Sequence, residues 1–275
     1  MTGIDTTSGD YDYTYLSLGA GVQSSALLVL CCTDDRVPKP DSAVFSDTGD
    51  EPAYVYSYLE MLAEWAKPYG VEVVTAQAGV LSEDTLKRGK FVPIPLYTLH
   101  KDGTKGVLRR QCTREYKITP INKKVRELLG LKPRQRNKYK VRALLGISTD
   151  EMQRMKPSWD KWVTNTYPLI DLGYARKDCY RIMADASLPE PKKSACIYCP
   201  YHDDGYWQYM KDELPVEFQK AVEFDEAIRN RTMKGAEAPA FVHKSCVPLS
   251  EAVFNANDPR QVDLFNNECE GMCGV

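Results

Sequence analysis

Short apolar segments alternate along the chain with longer stretches of helical spacing. Tyr13–Leu18 is a short apolar run that predicts a strand, and Ser24–Cys32 continues after a glycine turn as an apolar helix. Ser42–Ser46 predicts a second strand, Tyr54–Tyr69 has the periodicity of a helix, and Val71–Thr75 predicts a third strand. The order strand, turn, helix, strand therefore dominates the first part of the sequence.

A fourth strand is predicted at Lys140–Gly146. Short strands separated by helical stretches are typical of a doubly wound, mostly parallel α/β sheet, whose ligands bind at the carboxyl ends of the strands. After about residue 185 the sequence becomes rich in Pro, Cys, Tyr and Trp, with one predicted helix at Val216–Arg229. We therefore predict an α/β domain over residues 1–185 and a small Cys-rich C-terminal lobe over residues 186–275.

Composition is that of an ordinary globular protein. Charged residues make up 27% and the net charge is −2, so overall charge does not predict a nucleic-acid partner. The first fifteen residues lack the basic and apolar regions of a signal peptide, and no apolar run approaches the roughly 18 residues of a membrane span. We expect a cytoplasmic protein without a membrane partner.

One stretch departs from this neutral balance. Residues 132–142 (KPRQRNKYKVR) contain six cations and no acid. Such a run is commonly a solvated surface, and it is equally suited to a phosphate-rich ligand or a nucleic-acid backbone. Both interpretations remain open on sequence grounds.

Cysteine spacing is the most distinctive chemical feature. Nine cysteines are present, including the pairs Cys196/Cys199 and Cys269/Cys273 and the single Cys112 in the segment RRQCTR. In a reducing compartment a C-x-x-C pair more often binds metal or performs redox chemistry than forms a structural disulfide. Four thiolates from these segments suit either zinc or a [4Fe-4S] cluster.

The other cysteines lie in apolar or helix-like stretches. Cys31, Cys32 and Cys179 are therefore predicted to pack in the core, and Cys246 is left undecided. His202 follows Cys199 closely enough to be a metal ligand, but a structural or exposed histidine is the favoured interpretation.

The first turn, residues 17–25 (SLGAGVQSS), has the features of a phosphate cradle. Small residues let backbone amides approach an anion, serines add hydroxyl donors, and the following helix points its positive end to the same place. Glycine between a strand and a helix also occurs for turn geometry alone. The turn lacks the G-K-[ST] ending of a P-loop.

Five segments in chain order resemble motifs of the adenine nucleotide alpha-hydrolase superfamily, and within it the phosphoadenosine phosphosulfate (PAPS) reductase family. They are the glycine turn, FSDTGDEP at 45–52, RQCTREYKITP at 110–120, LGISTDEMQR at 145–154 and YPL at 167–169. The resemblance implies an adenine nucleotide alpha-hydrolase-like fold and makes residues 1–185 a nucleotide-binding domain.

Departures from the family pattern bear on the reaction. Gln23 stands where ATP pyrophosphatases of the superfamily carry aspartate, which is closer to the reductase branch. Relatives of the DNA phosphorothioation type are thought to handle sulfur with an iron-sulfur cluster. The segment 268–274 (ECEGMCG) is similar to the catalytic tail of PAPS reductases but lacks its histidine.

The resemblance implies roles for individual residues. Residues expected to bind ATP or PAPS with Mg²⁺ are Ser17, Gly19, Gly21, Gln23, Ser24, Ser25, Asp47, Thr48, Gly146, Asp150 and Glu151. For Asp150 and Glu151, capping of a following helix is the alternative. Residues expected to be catalytic are Arg110, Lys117, Arg154, Cys269 and Cys273. Metal ligands are expected to be Cys112, Cys196, Cys199 and Cys273, with Cys269 as the alternative fourth.

Three functions follow as expectations. The favoured one is an enzyme that adenylates an acceptor, expected to be a nucleic acid or a nucleotide-like molecule, and inserts sulfur from a donor by means of a [4Fe-4S] cluster. The second is a PAPS or APS reductase that releases sulfite through Cys269 or Cys273 and is regenerated by a thiol reductant. The third is a zinc-stabilised nucleic-acid-binding module. A homodimer is included among the expected assemblies.

Four aromatic residues near the C-x-x-C pair have two interpretations. They either stack the bases of a nucleic acid or pack the small lobe. These residues are Tyr198, Tyr201, Tyr206 and Trp207.

Overall fold

A parallel five-stranded sheet is the centre of the computed structural model, which describes residues 10–87, 91–229 and 238–255. The strands are β1 (Tyr13–Leu18), β2 (Ser42–Asp47), β3 (Glu72–Gln77), β4 (Tyr97–Leu99), β5 (Lys105–Val107), β6 (Val141–Leu145), β7 (Val163–Thr166) and β8 (Ala240–Phe241). The α-helices are α1 (Val22–Thr33), α2 (Ala53–Ala66), α3 (Leu81–Leu86), α4 (Thr119–Leu128), α5 (Pro168–Asp171), α6 (Arg176–Asp185), α7 (Asp204–Glu213) and α8 (Pro215–Arg229).

Strand order in the main sheet is β3-β2-β1-β6-β7, and every neighbouring pair is parallel. Leu16 of β1 is in register with Ala43 on one side and Leu144 on the other. The chain builds outward from β1 to β3 and then crosses back to β6, so the order reverses between β1 and β6. The carboxyl ends of these two strands form the crevice where ligands bind in such sheets. The predicted doubly wound α/β fold is confirmed.

Helices cover both faces of this sheet. On one face α1 packs against α2 and α6, with Leu27, Leu62 and Met183 buried in a common core. On the other face α4 packs against β2 and β3 through Ile121 and Val125. Residues Val22–Cys31 of α1 are all buried, which explains why this helix has apolar residues on all sides rather than one stripe.

A second hydrophobic cluster lies outside the main sheet. Most of its members come from α7, α8 and the residues in or next to the antiparallel strands β5-β4-β8, with Trp207 and Ile228 fully buried. Its members come from residues 81–116 as well as from residues 197–252. The division of the chain at residue 185 remains a prediction.

Most predicted elements are confirmed within a few residues, namely β1, α1, β2, α2, β3, β6 and α8. The expectation of a single helix after residue 185 was wrong, because α7 precedes α8. Asp203 caps α7 by accepting a hydrogen bond from the Tyr206 backbone N–H at 2.7 Å. Adjacent Pro, Cys and His residues obscure its helical spacing. In the parts of the chain that the structure describes, no helix is both long and apolar enough to cross a membrane.

Close packing at Gly146 leads to a stability prediction. A Cβ added at this position, just after β6, would lie 2.8 Å from both the backbone N and the Cα of Ser24. Because both contacted atoms belong to the backbone, displacing either of them costs free energy. We expect Gly146→Ala to lower the free energy of unfolding by about 1–3 kcal/mol in urea titrations followed by circular dichroism.

Gly205→Ala is the matched control, since its Cβ would meet no backbone atom, and its one close contact, at 3.1 Å, is with Oδ1 of the Asp203 side chain that caps α7. We expect it to change stability by less than about 1 kcal/mol. Equal stability of Gly146→Ala and the wild type would show that the two backbone segments are not packed as described.

Candidate active site

The glycine turn between β1 and α1 is held by its own serine. Ser24 Oγ accepts a hydrogen bond from the Gly19 N–H at 3.1 Å and donates one to the Gly21 carbonyl at 3.1 Å. Ala20 has a left-handed backbone with φ of +56°, a strained conformation for a residue with a Cβ. Gly21 gives α1 no side-chain cap, and the first turn of α1 contains no acid. Its N-terminal amides therefore suit an anion.

A buried polar network links this turn to the segment after β6. Gln23 Nε2 donates to Ser148 Oγ at 2.8 Å and to Glu151 Oε2 at 3.1 Å. Glu151 also forms an ion pair with Arg154. Gln23 Oε1 is buried and has no hydrogen-bond partner among the described residues. A buried acceptor in this state costs about 1–3 kcal/mol, so a ligand or solvent donor here would be stabilising.

The carboxylate of Asp47 lies at the end of β2 and is engaged by three donors. Its Oδ1 accepts hydrogen bonds from the Gly49 N–H at 2.7 Å and the Tyr56 hydroxyl at 2.9 Å. Its Oδ2 accepts one from Gln77 Nε2 at 3.2 Å. These contacts orient the carboxylate at the edge of the sheet where β1 also ends.

Asp150 and Glu151 have different surroundings. Asp150 is exposed, and its Oδ2 accepts a hydrogen bond from the Arg176 N–H at 2.6 Å, at the first residue of α6. This bond ties Asp150 to the start of α6, 26 residues further along the chain, where Ala175 is the N-cap residue. Glu151 is buried in the Gln23 network instead.

Cysteines from two distant segments meet at a pocket of about 30 Å³. Cys112 comes from the segment before α4, whereas Cys196 and Cys199 precede α7. The other lining residues that bear on chemistry are Thr48, Arg110, Thr113, Lys117, Tyr198 and Tyr201. The predicted residues Arg110, Lys117 and Thr48 therefore lie beside the three thiols.

Cys196 is the best defined of these thiols. Its Sγ lies 3.1 Å from Thr48 Oγ1 and donates to Glu51 Oε1 at 3.5 Å. Burial, and then the charge of Glu51, raises the pKa of the thiol well above its usual range, while Lys117 acts in the opposite direction. In this environment the thiol is protonated at neutral pH.

The donor chemistry at this pocket fits a thiolate-bound metal. All three cysteines are free thiols that line this pocket, with Lys117 close enough to Cys196 to offset thiolate charge. The described residues nevertheless contain no group of three or more His, Cys, Asp or Glu side chains already placed to hold a metal ion. The predicted fourth ligands, Cys269 and Cys273, lie outside the described residues.

Two hydrogen bonds join the cysteine pocket to the sheet. Ser194 Oγ donates to the Gly19 carbonyl at 2.6 Å, and the Ile197 N–H donates to the Asp50 carbonyl at 2.8 Å. The segment carrying Cys196 is therefore fastened to the ends of both β1 and β2. The glycine turn and the Cys196 segment therefore occupy neighbouring strand ends.

Three residues of this site were not singled out from the sequence. Glu51 lies in the motif after β2, and Ser148 in the motif after β6, so their positions were detectable although their contacts were not. Ser194 has no sequence signal, because it is a common residue in an irregular segment.

Three of the remaining cysteines and one histidine have packing roles. Cys31 and Cys179 are buried in the main core, and Cys32 packs against it, as predicted. His202 is a structural histidine: it is buried and bonded through Nε2 to the Cys196 carbonyl at 2.9 Å. Burial lowers its pKa well below the usual range.

The aromatic residues near the C-x-x-C pair follow the packing alternative in three cases. Tyr198, Tyr206 and Trp207 are buried in the second hydrophobic cluster, which leaves no room for a stacked base. Tyr201 is partly exposed, with the Arg110 guanidinium 5.4 Å above its ring.

Comparison with known proteins gives similarity to solved structures alone. No protein-family model matches the sequence, and no curated protein matches it. A crystal structure of phosphoadenylyl-sulfate (PAPS) reductase from Candida auris, in complex with phosphate, is similar with a TM-score of 0.44. The sequences are 13% identical, and the match covers 68% of this chain and 82% of that one. These values are too low for the activity of that reductase to be transferred to this chain.

Asp50 is a buried carboxylate that supports the turn after β2. It accepts hydrogen bonds from the Ser82 N–H at 2.6 Å and the Ser82 hydroxyl at 2.8 Å. Burial is the largest influence and raises its pKa to about 6, although the bonds from Ser82 oppose the shift. The folded protein therefore binds this proton more tightly than the unfolded chain does.

A pH dependence of stability follows. The contribution of Asp50 is fully present below its unfolded pKa of about 4 and is lost as pH rises through its folded pKa of about 6. In urea titrations across this window, the stability of the wild type minus that of Asp50→Asn should fall by roughly 2–3 kcal/mol. A difference that stays constant with pH would show that the pKa of Asp50 is not raised by folding.

Proposed function

We propose that this chain is a nucleotide-dependent sulfur-transfer enzyme. It binds the phosphates of ATP at the glycine turn, activates an acceptor oxygen as its adenylate, and completes sulfur transfer at the cysteine pocket. The observation that carries the proposal is the hydrogen bond from Ser194 to the Gly19 carbonyl, at 2.6 Å, which joins the thiol-bearing segment to the phosphate turn.

The residues of the turn account for nucleotide binding. The backbone N–H groups at the start of α1 donate hydrogen bonds to the phosphate oxygens, and Ser24 holds the turn in shape. Mg²⁺ binding is assigned to the carboxylates of Asp47 and Glu151, and Arg154 balances the charge of Glu151. Displacement of pyrophosphate by the acceptor oxygen would leave AMP on the acceptor at this end of the sheet.

The pocket residues account for the sulfur step. A [4Fe-4S] cluster held by Cys112, Cys196 and Cys199 would supply the sulfide that replaces AMP. Thr48 and Glu51 position the Cys196 sulfur, and Lys117 lies near enough to favour its thiolate. Arg110 lines the same pocket and is placed to balance negative charge there.

Metal content tests the role assigned to the thiols. We expect anaerobically purified wild-type protein to contain about four irons and matching acid-labile sulfide per chain, with the broad visible absorption of thiolate-bound iron. Cys196→Ser should lose most of the iron, because the hydroxyl is a poor substitute for a thiolate.

Cys32→Ser is the matched control, since Cys32 packs against the main core and should leave the iron unchanged. A colourless wild-type protein with stoichiometric zinc would contradict the cluster. Sulfite release from PAPS by metal-free protein would instead support a reductase that uses the tail cysteines.

Nucleotide binding tests the role assigned to the turn. Because Ser24 bonds both Gly19 and Gly21, Ser24→Ala should loosen the phosphate site and weaken ATP binding about tenfold in calorimetric titrations. Ser57→Ala removes only a 3.5 Å bond within α2 and should leave ATP binding unchanged. ATP binding that is unaffected by Ser24→Ala would place the nucleotide elsewhere.

A further inference from the structure

A groove of about 630 Å³ lies on the segment that carries Cys112. This segment continues from the cysteine through the π-helical turn Thr113–Ile118 into α4. Thr113 lines the cysteine pocket, whereas the next residue, Arg114, lines the groove. The groove therefore begins one residue away from the candidate active site, and the adenylation chemistry proposed above does not use it.

Positive charge is concentrated in this groove. Five cations line it, against the two acids Glu127 and Asp160, although the whole chain has a net charge of −2. Asp160 accepts a hydrogen bond from Asn122 at 2.7 Å, and Glu127 lies 4.0 Å from Lys123. The cations are Arg114, Lys123, Arg126, Lys132 and Arg134. A locally positive concave surface on an acidic protein favours a polyanionic ligand.

The start of the basic stretch is folded into a defined turn at the groove. Arg126 Nη2 donates to the Gln135 carbonyl at 2.6 Å, and the Lys132 N–H donates to Gln135 Oε1 at 2.9 Å. Arg134 has a left-handed backbone with φ of +64°, which is uncommon for a residue with a long side chain. These contacts hold Lys132 and Arg134, both exposed, at the rim.

An exposed tryptophan completes the groove. Trp159 is 72% exposed, which is unusual for so large an apolar side chain, and Trp162 also lines the groove. The Arg114 guanidinium lies 5.6 Å from the centre of the Trp159 ring. Proteins bind unpaired nucleotides with cations spaced along the nucleic-acid backbone and with a solvent-exposed aromatic ring on which a base stacks.

We propose that this groove binds single-stranded nucleic acid, with a base stacked on Trp159 and phosphates along Lys123, Lys132 and Arg134. A duplex has no unpaired base to offer the indole, so the exposed ring favours a single strand. The proposal deepens the proposed function by naming the class of acceptor that would reach the cysteine pocket.

Fluorescence anisotropy with a labelled oligothymidylate of about 12 nucleotides tests the stacking contact. Trp159→Ala should weaken binding about tenfold or more, whereas Trp159→Phe, which keeps an aromatic face, should retain most of the affinity. Affinity unchanged in Trp159→Ala, or an equal preference for a duplex of the same length, would overturn the proposal.

Salt dependence tests the phosphate contacts. Lys123→Gln and Lys132→Gln should each reduce the slope of log affinity against log salt by about 0.7, the value for one phosphate contact on a single strand. Lys101→Gln, in the exposed turn between β4 and β5, should leave the slope unchanged. A slope that none of the groove variants alters would contradict binding at this surface.

The Ser24→Ala variant distinguishes failure of the groove proposal from failure of the proposed ATP-dependent function. It should leave oligonucleotide affinity unchanged, because Ser24 does not line the groove. Oligonucleotide binding with no ATP binding would uphold the groove and reject the adenylation function. ATP binding with no oligonucleotide binding would reject the groove alone.

Discussion

The contact between the end of β6 and the start of α1 is the constraint on which the candidate site depends. Gly146 approaches the Ser24 backbone so closely that no side chain fits between them. This approach brings Ser148 and Glu151 to the Gln23 amide, 2.8 and 3.1 Å away. The glycine turn is thereby supported from the neighbouring strand as well as by its own hydrogen bonds.

The Cys196 thiol lies between a carboxylate and a lysine that act on its protonation in opposite directions. The thiol is buried beside Glu51, which disfavours its thiolate form, while Lys117 favours it. A bound metal ion would add a large positive charge and reverse this preference, because coordinated thiols are deprotonated. The same carboxylate and Thr48 hold the protonated thiol in place when no cation is present.

The helical segment after Cys112 connects the two proposed functions. Its start lines the cysteine pocket, and its following turns line the positive groove with Trp159 across from them. The linings of the pocket and the groove therefore meet along the chain at Thr113 and Arg114.

Much of the fold and part of the site were predictable from sequence. The strands, the glycine turn and the motifs after β2 and β6 are local patterns, since apolar spacing and turn residues act over a few positions. That Asp47, Gly146 and the turn would share one sheet edge also followed, because parallel strands end on the same side. Helix α7 was missed, since Cys, Pro and His residues beside it masked its spacing.

Only the tertiary structure decided which of these residues meet. Ser194 and Gly19 are 175 positions apart, and Cys196 and Glu51 are 145 apart. Their contacts depend on how the second cluster packs on the sheet. This packing produces no periodic pattern in the sequence. Sequence identified the basic stretch but could not distinguish a solvated surface from a binding groove. The fold brings that stretch beside Trp159, a residue that its local sequence does not distinguish.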